Sequence, residues 1–153
     1  MADKGLNELV ESLFGIIFIS KRYEIFASWF FEDNLDPLSK KTKQLIGNPE
    51  RIIFVGNQKD VRPFFAISNS LVFPSYREGF SNVVMQAGAM GLPSVVTDIN
   101  GCNEIIQYDY NGIIIPSKDK EALKMAMYRI FIDKDLYFTY SSKSSLEIVN
   151  NFE

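Results

Sequence analysis

The stretch that decides the fold is PSYREGFSNVVMQAGAMGLP, residues 74–93. It follows the apolar triplet LVF at 71–73, which is typical of a buried strand. Glu78 lies in the short polar turn, and the residues after it predict a helix that Gly91 and Pro93 end. This order places Glu78 at the carboxyl end of a strand, which is where open α/β sheets bind ligands.

The helix in this stretch has two predicted faces. Val83, Ala87 and Met90 share a face that can pack on a sheet. Asn82 and Gln86, four residues apart, share a second face that can line a cleft. The helix N-terminus adds free N–H groups and a partial positive charge, which suit an anion such as a phosphate.

Strand and helix patterns alternate on both sides of this stretch. Helices are predicted at residues 5–20, 38–46, 60–68 and 123–131, around 104–106, and at 136–152, and strands at 24–31, 51–55, 71–73, 94–97 and 113–115. Asp60 is a predicted helix cap, and so is either Ser117 or Asp119. At least four cycles of strand and helix predict an α/β fold, a parallel sheet flanked by helices.

Composition excludes several other classes of protein. The chain has 153 residues, 46% of them hydrophobic, and a net charge of -3, which gives no general attraction to nucleic acid. With one cysteine and no histidine it has no internal disulfide and no cysteine cluster for zinc, so a reducing cytoplasmic setting is expected. The apolar run at 13–19 is far shorter than the roughly 20 residues that span a bilayer. We therefore expect neither a signal peptide nor a transmembrane segment.

Several motifs resemble one known family. The motifs are Pro74 and Ser75 at the end of the strand, then Glu78, Gly79 and Phe80, and the further stretches 56–61, 97–106 and 111–112. In this order they resemble the donor-binding signature of the retaining GT-B glycosyltransferases of group 1. The family carries a second glutamate eight residues after the first, where this chain has Gln86.

The resemblance covers nearly the whole chain and implies its fold. Residues 1–153 are expected to form a single donor-binding domain, the C-terminal half of a GT-B fold. This is a Rossmann-like three-layer sandwich with a mostly parallel sheet, here without its first strand. In the usual strand order 3-2-1-4-5-6 that strand is central, so we expect the strands beside the gap to pair directly or to form a homodimer.

The resemblance also assigns roles to residues. Glu78 is the expected catalytic residue and binds hexose hydroxyls, while Lys4, which precedes Gly5 as in the family's Lys-Gly pair, binds the diphosphate. Gln86 is expected at the ribose, where a neutral amide keeps the geometry but loses charge assistance. The remaining expected donor-binding residues are Gly56, Asn57 and Gln58 near the base, and Gly79, Phe80, Ser81 and Asn82, with the backbone N–H groups of 80–82 at the phosphates.

The implied reaction is transfer of a hexose, with retention, from a nucleoside diphosphate sugar to a saccharide or lipid-linked acceptor. It is expected to need no metal and no cofactor, and to serve surface polysaccharide assembly such as capsule. The full-length enzyme is expected in the cytoplasm or at the cytoplasmic face of the membrane. The acceptor site belongs to an N-terminal domain that is missing here, so the isolated chain is expected to be inactive.

Other interpretations remain open at this point. The chain could be a nucleotide-binding module without chemistry, or an interaction domain with a vestigial cleft. Lys4 could be a solvated terminal lysine, Asn57 and Gln58 part of a plain turn, and Glu78 a simple loop acid. Cys102 is interpreted as a semi-buried residue and not a nucleophile, since no histidine can activate it. Asp133 and Asp135 are interpreted as a solvated connector and not as a metal site, and Glu104 either caps its turn or faces the cleft.

Overall fold

The computed structural model describes residues 4–17, 25–27, 39–46, 52–55 and 58–152. The helices are α1 (Leu6–Ile17), α2 (Lys40–Ile46), α3 (Arg62–Ile67), α4 (Asn82–Ala89), α5 (Lys120–Ile132) and α6 (Lys134–Phe152). The strands are β1 (Ile25–Ala27), β2 (Ile52–Phe54), β3 (Leu71–Phe73), β4 (Ser94–Thr97) and β5 (Gly112–Ile115). Helices and strands alternate as the sequence predicts, and α6 begins two residues earlier than expected.

Every described strand pair is parallel. β1 pairs with β2 in a two-stranded sheet, and β4 lies between β3 and β5 in a three-stranded sheet. All four residues of β4 are buried, as expected for a central strand covered on both faces by helices. Because parallel strands end at the same edge, the loops after β3, β4 and β5 lie side by side. The chain has the predicted Rossmann-like α/β fold.

Helices pack on the two faces of the three-stranded sheet. On one side α5 and the start of α6 cover β4 and β5, and α1 packs against α5. On the other side α4 and the end of α6 cover β3 and β4. The buried residues of the two clusters are Val95, Ile113, Ile115, Leu123, Ala126, Met127, Ile130 and Tyr140, and Val84, Val96, Cys102, Ile105, Ile106 and Ile148.

Direct pairing across the gap, one of the two expected outcomes, is not found among the strands that the structure describes. Within those ranges no ladder joins β1 or β2 to β3. The described strands therefore form two separate sheets, with a break between them. Association of two chains through this break stays a prediction.

Two details of the predicted elements are wrong. Glu104 and Ile105 lie in a turn and Ile106 follows it, so the short helix expected here does not form. On α4 the buried residues are Val84, Ala87 and Gly88, whereas Met90, expected on the buried face, lies just past the helix and is 40% exposed. Gly88 is buried because α4 packs on α6 as well as on the sheet.

The helix starts mostly follow the predicted capping. Asp119 caps α5 by accepting a hydrogen bond from the N–H of Ala122 at 2.9 Å. Asp60 accepts one from the N–H of Arg62 at 3.0 Å, although Val61 stands between Asp60 and the first helical residue.

None of the helices in the described part of the chain has the length and apolar character needed to cross a lipid bilayer.

Candidate functional site

The turn after β3 holds Glu78 in place. Ser75 is buried, and its hydroxyl donates to Glu78 Oε1 at 3.2 Å and to the carbonyl of Arg77 at 3.1 Å. Thr97, the last residue of β4, donates its hydroxyl to the carbonyl of Ser75. The carboxylate is thus held by the Ser75 hydroxyl, and the backbone of Ser75 is held in turn by the last residue of the neighbouring strand.

Lys4 reaches this carboxylate from the far end of the sequence. Its ammonium forms an ion pair with Glu78 Oε1, 74 residues away in the chain. Gly5 makes the approach possible, because its φ is +70° and a Cβ there would lie 1.9 Å from the carbonyl oxygen of Pro74. Lys4 and Glu78 therefore lie together at the carboxyl edge of the sheet, as expected, whereas the expectation that Gln86 lines the same cleft stays a prediction.

A second loop closes over the turn that carries Gly79. Gly101, in the loop after β4, has φ of +79°, and a Cβ there would lie 1.4 Å from the carbonyl oxygen of Gly79. The N–H of Ser81 donates to the carbonyl of Gly101 at 3.2 Å, although the resemblance implied a phosphate contact for that N–H. Glu104 accepts a hydrogen bond from the N–H of Gly101 at 3.3 Å, so it stabilises its own turn.

Cys102 is close enough to the ion pair for the charges of both Glu78 and Lys4 to act on its thiol. Its side chain is fully buried, more so than the sequence suggested, in the cluster with Val84 and Val96. Burial, together with the negative charge of Glu78, raises the pKa of the thiol to about 11, although the positive charge of Lys4 opposes this. A protonated, inaccessible thiol is not a nucleophile, as the sequence predicted.

Helix α4 begins three residues after Gly79 and presents polar residues to solvent. Asn82 and Gln86 are exposed, and their spacing of four puts them on one side of the helix. Phe80, in the turn before the helix, is 46% exposed. Ser81 is buried at the N-cap position, and its side chain makes no capping hydrogen bond.

The loop after β2 bears on the expected base contact. Gly56 and Asn57 lie outside the described residues. Gln58 donates its side-chain amide to the carbonyl of Val55, which closes the end of β2. A side chain that bonds to its own loop agrees with the plain-turn interpretation of Gln58.

Sequence reasoning missed one contact at the same edge. The Lys118 ammonium lies 5.0 Å from the ring centroid of Tyr76, which brings the loop after β5 against the turn after β3. Both residues follow strands of one parallel ladder, and this shared position was the available signal.

Acidic residues elsewhere have structural roles. Asp133 accepts a hydrogen bond from the N–H of Leu136 at 2.9 Å and so caps the start of α6. Across the described ranges, no group of three or more acidic, histidine or cysteine residues is arranged to hold a metal ion.

The fold and the paired charges define an α/β protein with a candidate ligand site at the carboxyl edge of its parallel sheet. The family model for group 1 glycosyl transferases matches residues 32–133. The chain belongs to this family, as the sequence motifs predicted.

Curated relatives are larger than this chain. CapM of Staphylococcus aureus, a capsular polysaccharide biosynthesis glycosyltransferase, is 29% identical over 154 residues, which cover 98% of this chain and 39% of CapM. A UDP-Gal:α-D-GlcNAc-diphosphoundecaprenol α-1,3-galactosyltransferase of Escherichia coli is 30% identical over 103 residues, covering 67% of this chain and 26% of that enzyme. The chain therefore spans well under half the length of these relatives.

Solved structures share the fold. The C-terminal domain of LpcC, a group 1 glycosyl transferase of Francisella tularensis, has a TM-score of 0.88 at 19% identity, covering 100% of this chain and 82% of that domain. HepE of Anabaena, solved in complex with UDP, has a TM-score of 0.88 at 19% identity, covering 100% of this chain and 42% of HepE. The fold is that of the C-terminal half of a GT-B glycosyltransferase.

Proposed function

We propose that this chain is the nucleotide-sugar-binding part of a retaining hexosyltransferase that acts on a saccharide or lipid-linked acceptor in polysaccharide assembly. The observation that carries the proposal is the ion pair between Lys4 and Glu78 at the carboxyl edge of the sheet. One cation and one carboxylate at this edge match the two ends of a sugar diphosphate. The relatives named for capsule and galactosyl transfer, and the HepE complexes with UDP and with UDP-glucose, support it.

Lys4 and Glu78 are proposed to contact different parts of the donor, the diphosphate and the hexose. The Lys4 side chain is 48% exposed and free to turn from Glu78 to a diphosphate, which carries more negative charge. Glu78 then accepts hydrogen bonds from the hexose hydroxyls in place of the lysine. The ion pair keeps both groups near their working positions while the site is empty of donor, which lowers the cost of ordering them on binding.

Neighbouring residues complete the proposed donor site. Gln86 and Asn82, on the exposed side of α4, are proposed at the ribose and the phosphates, and the positive end of α4 adds to the field. The N–H of Ser81 already donates to Gly101, so the main phosphate contact is assigned to Lys4. The base is assigned to the loop containing Gly56 and Asn57.

The proposed chemistry uses these charges in place of a metal ion. As the bond from the sugar to the diphosphate breaks, negative charge grows on the departing diphosphate. The Lys4 ammonium and the helix terminus stabilise that charge. Addition of a chelator is therefore expected to leave nucleotide binding unchanged.

Calorimetric titration with UDP, GDP and ADP, and with the matching nucleotide sugars, tests the proposal. Lys4→Met is expected to weaken nucleotide binding about 10- to 100-fold, because it removes a hydrogen bond to a charged group. Lys134→Met, at the start of α6 and away from the site, is the matched control and is expected to bind like the unmodified chain. Glu78→Gln is expected to weaken nucleotide-sugar binding more than nucleotide binding. Absence of binding by any nucleotide would instead favour an interaction domain with a vestigial cleft.

A further inference from the structure

Ser75 is a buried serine between β3 and Glu78. It has no exposed surface, so it cannot contact a bound donor itself. Its hydroxyl donates to the carbonyl of Arg77 at 3.1 Å and to Glu78 Oε1 at 3.2 Å. The carbonyl alone would satisfy the one hydroxyl hydrogen, so the geometry of the turn does not by itself require the bond to the carboxylate.

The two oxygens of the Glu78 carboxylate are used differently. Oε1 accepts from Ser75 and from the Lys4 ammonium, which fills the two acceptor sites of one carboxylate oxygen. Oε2 receives no hydrogen bond from the residues that the structure describes. The Glu78 side chain is 21% exposed, so the carboxylate is largely covered but still reachable by a ligand.

The two donors at Oε1 differ in how firmly they are held. The Lys4 side chain is about half exposed, and its ammonium is proposed to turn to the diphosphate when the donor binds. The Ser75 hydroxyl is fully buried on a short side chain and stays where it is. Once Lys4 has turned, Ser75 is the donor that still holds Oε1.

Thr97 holds Ser75 from the neighbouring strand. Thr97 is the last residue of β4 and is buried, and its hydroxyl donates to the carbonyl of Ser75. Thr97 is paired with Ile115 of β5, and the N–H of Asp98 donates to the carbonyl of Ile115 at 2.8 Å. The support of Glu78 therefore runs from Ser75 into the hydrogen-bonded edge of the three-stranded sheet.

We propose that Ser75 and Thr97 are positioning residues that set the preference of this site for a nucleotide sugar over the free nucleotide. The inference rests on the proposed function for the roles of Lys4 and Glu78. Ser75 keeps Glu78 Oε1 in place, and Oε2 is left to accept a hydrogen bond from a hexose hydroxyl. A long side chain that is ordered before the ligand arrives avoids a cost of up to about tenfold in affinity. Because Ser75 acts on the donor only through Glu78, its loss affects the sugar part of the donor and not the nucleotide part.

Calorimetric titration of Ser75→Ala with UDP, GDP and ADP, and with their glucose and galactose conjugates, tests the proposal. Ser75→Ala is expected to weaken nucleotide-sugar binding about tenfold and to leave free-nucleotide binding within about twofold. Ser144→Ala is the matched control, because Ser144 is also fully buried and donates to a carbonyl, that of Asn111 at 2.9 Å, at the opposite edge of the sheet. It is expected to change neither affinity. Equal weakening of both ligands by Ser75→Ala, or no weakening of either, would overturn the inference.

Two substitutions at Thr97 separate its hydrogen bond from its packing. Thr97→Val keeps the shape of the side chain and removes the hydroxyl, whereas Thr97→Ser keeps the hydroxyl and removes a methyl group. Thr97→Val is expected to weaken nucleotide-sugar binding about three- to tenfold with free-nucleotide binding unchanged, since it removes one hydrogen bond that supports Ser75. Thr97→Ser is expected to bind both ligands like the unmodified chain. The reverse order of the two variants would show that Thr97 acts by packing and would overturn its assigned role.

A double-mutant cycle separates this inference from the proposed function, because it needs no ligand. Urea denaturation measures the stability of Ser75→Ala, of Glu78→Ala and of the chain with both changes. The combined loss is expected to be smaller than the sum of the single losses, because each change removes the same hydrogen bond. Additive losses would overturn the inference even if nucleotides bind. Lack of binding by any nucleotide would overturn the proposed function, and the cycle would still decide whether Ser75 holds Glu78.

Discussion

Cys102 shows how closely the candidate site is built into the core. The thiol is fully buried, yet the charges of both Glu78 and Lys4 reach it. Burial raises the pKa of the thiol from its usual 9.0 to about 11 in the folded chain, and Glu78 adds to the shift. The folded state therefore disfavours the thiolate, and the unfolded state does not.

This difference predicts a stability loss at high pH. A group whose folded pKa is raised stabilises the protein fully below its unfolded pKa, and the contribution is lost as pH rises from about 9 towards 11. At pH 10.5 the loss is about 2 kcal/mol, or about 4 to 8 °C in Tm. Thermal melts from pH 7.5 to 10.5 measure it, with Cys102→Ala as the reference because the other titrating groups are shared. Parallel pH profiles for the two chains would contradict the prediction.

At the residue scale, the motif predicted that Lys4 and Glu78 lie close together but missed their ion pair and the surrounding contacts. Lys4 and Glu78 were both found, because each follows from its place in a family pattern at one edge of the sheet. The bond from Gln58 to Val55 and the bond from Ser81 to Gly101 were not found. These bonds depend on loop geometry, which neither hydrophobic periodicity nor residue type predicts.

At the element scale, the loops after β3 and β4 are locked together at two glycines. The backbone of Gly101 presses on the carbonyl of Gly79, whereas a Cβ added at Gly79 would meet nothing within 4 Å. Gly101 therefore leaves no room for a side chain, whereas Gly79 does.

Gly101→Ala and Gly79→Ala are therefore a matched pair. Gly101→Ala is expected to lower the free energy of unfolding by at least about 2 kcal/mol, because a positive φ costs about 1–3 kcal/mol and overpacking adds a similar amount. Gly79→Ala is expected to change it by less than about 1 kcal/mol. Urea denaturation measures both. Equal effects would show that the two loops do not interlock as described.

Two elements show why sequence patterns gave only part of the detail. The helix predicted around 104–106 does not form, since Asn111 accepts a hydrogen bond from the N–H of Gln107 and donates to the carbonyl of Ile105. Such side-chain bonds compete with a helix. The buried face of α4 includes Gly88 because a Cβ there would lie 3.0 Å from Ile148 on α6. Contacts with a helix 60 residues away leave no trace in the local pattern.

At the scale of the whole molecule, the parallel order of the strands was predictable from the sequence. Whether the strands beside the gap pair with each other was not. Alternation of strand and helix is enough to predict a parallel sheet, and the described ladders agree with it. Direct pairing of the strands beside the gap, one of the two expected outcomes, is not found, since no pairing joins the two sheets within the described ranges. Sedimentation of the chain would test the remaining prediction, a dimer through the gap.

Catalysis is expected to need more than this site. We expect the chain to bind donor without transferring sugar, because the described site holds one reactant and the gain from orienting two is then absent. Release of UDP from UDP-sugars, with saccharide and polyprenyl-linked acceptors present, is the measurement. A titration with UDP on the same sample verifies that the fold is intact. Turnover of about 1 per second or more would contradict the expectation.

The packing of α1 on α5 sets the order in which the site is assembled during synthesis. Ser12 on α1 donates its hydroxyl to the carbonyl of Lys120 at 2.8 Å, across 108 residues of chain. Lys4 leaves the ribosome before Glu78, but the helix behind it has its main packing surface only after residue 120 has emerged. Contacts this distant in sequence form late and slowly. The ion pair is thus expected to form late, because the helix that follows Lys4 packs on residues made more than a hundred positions after it.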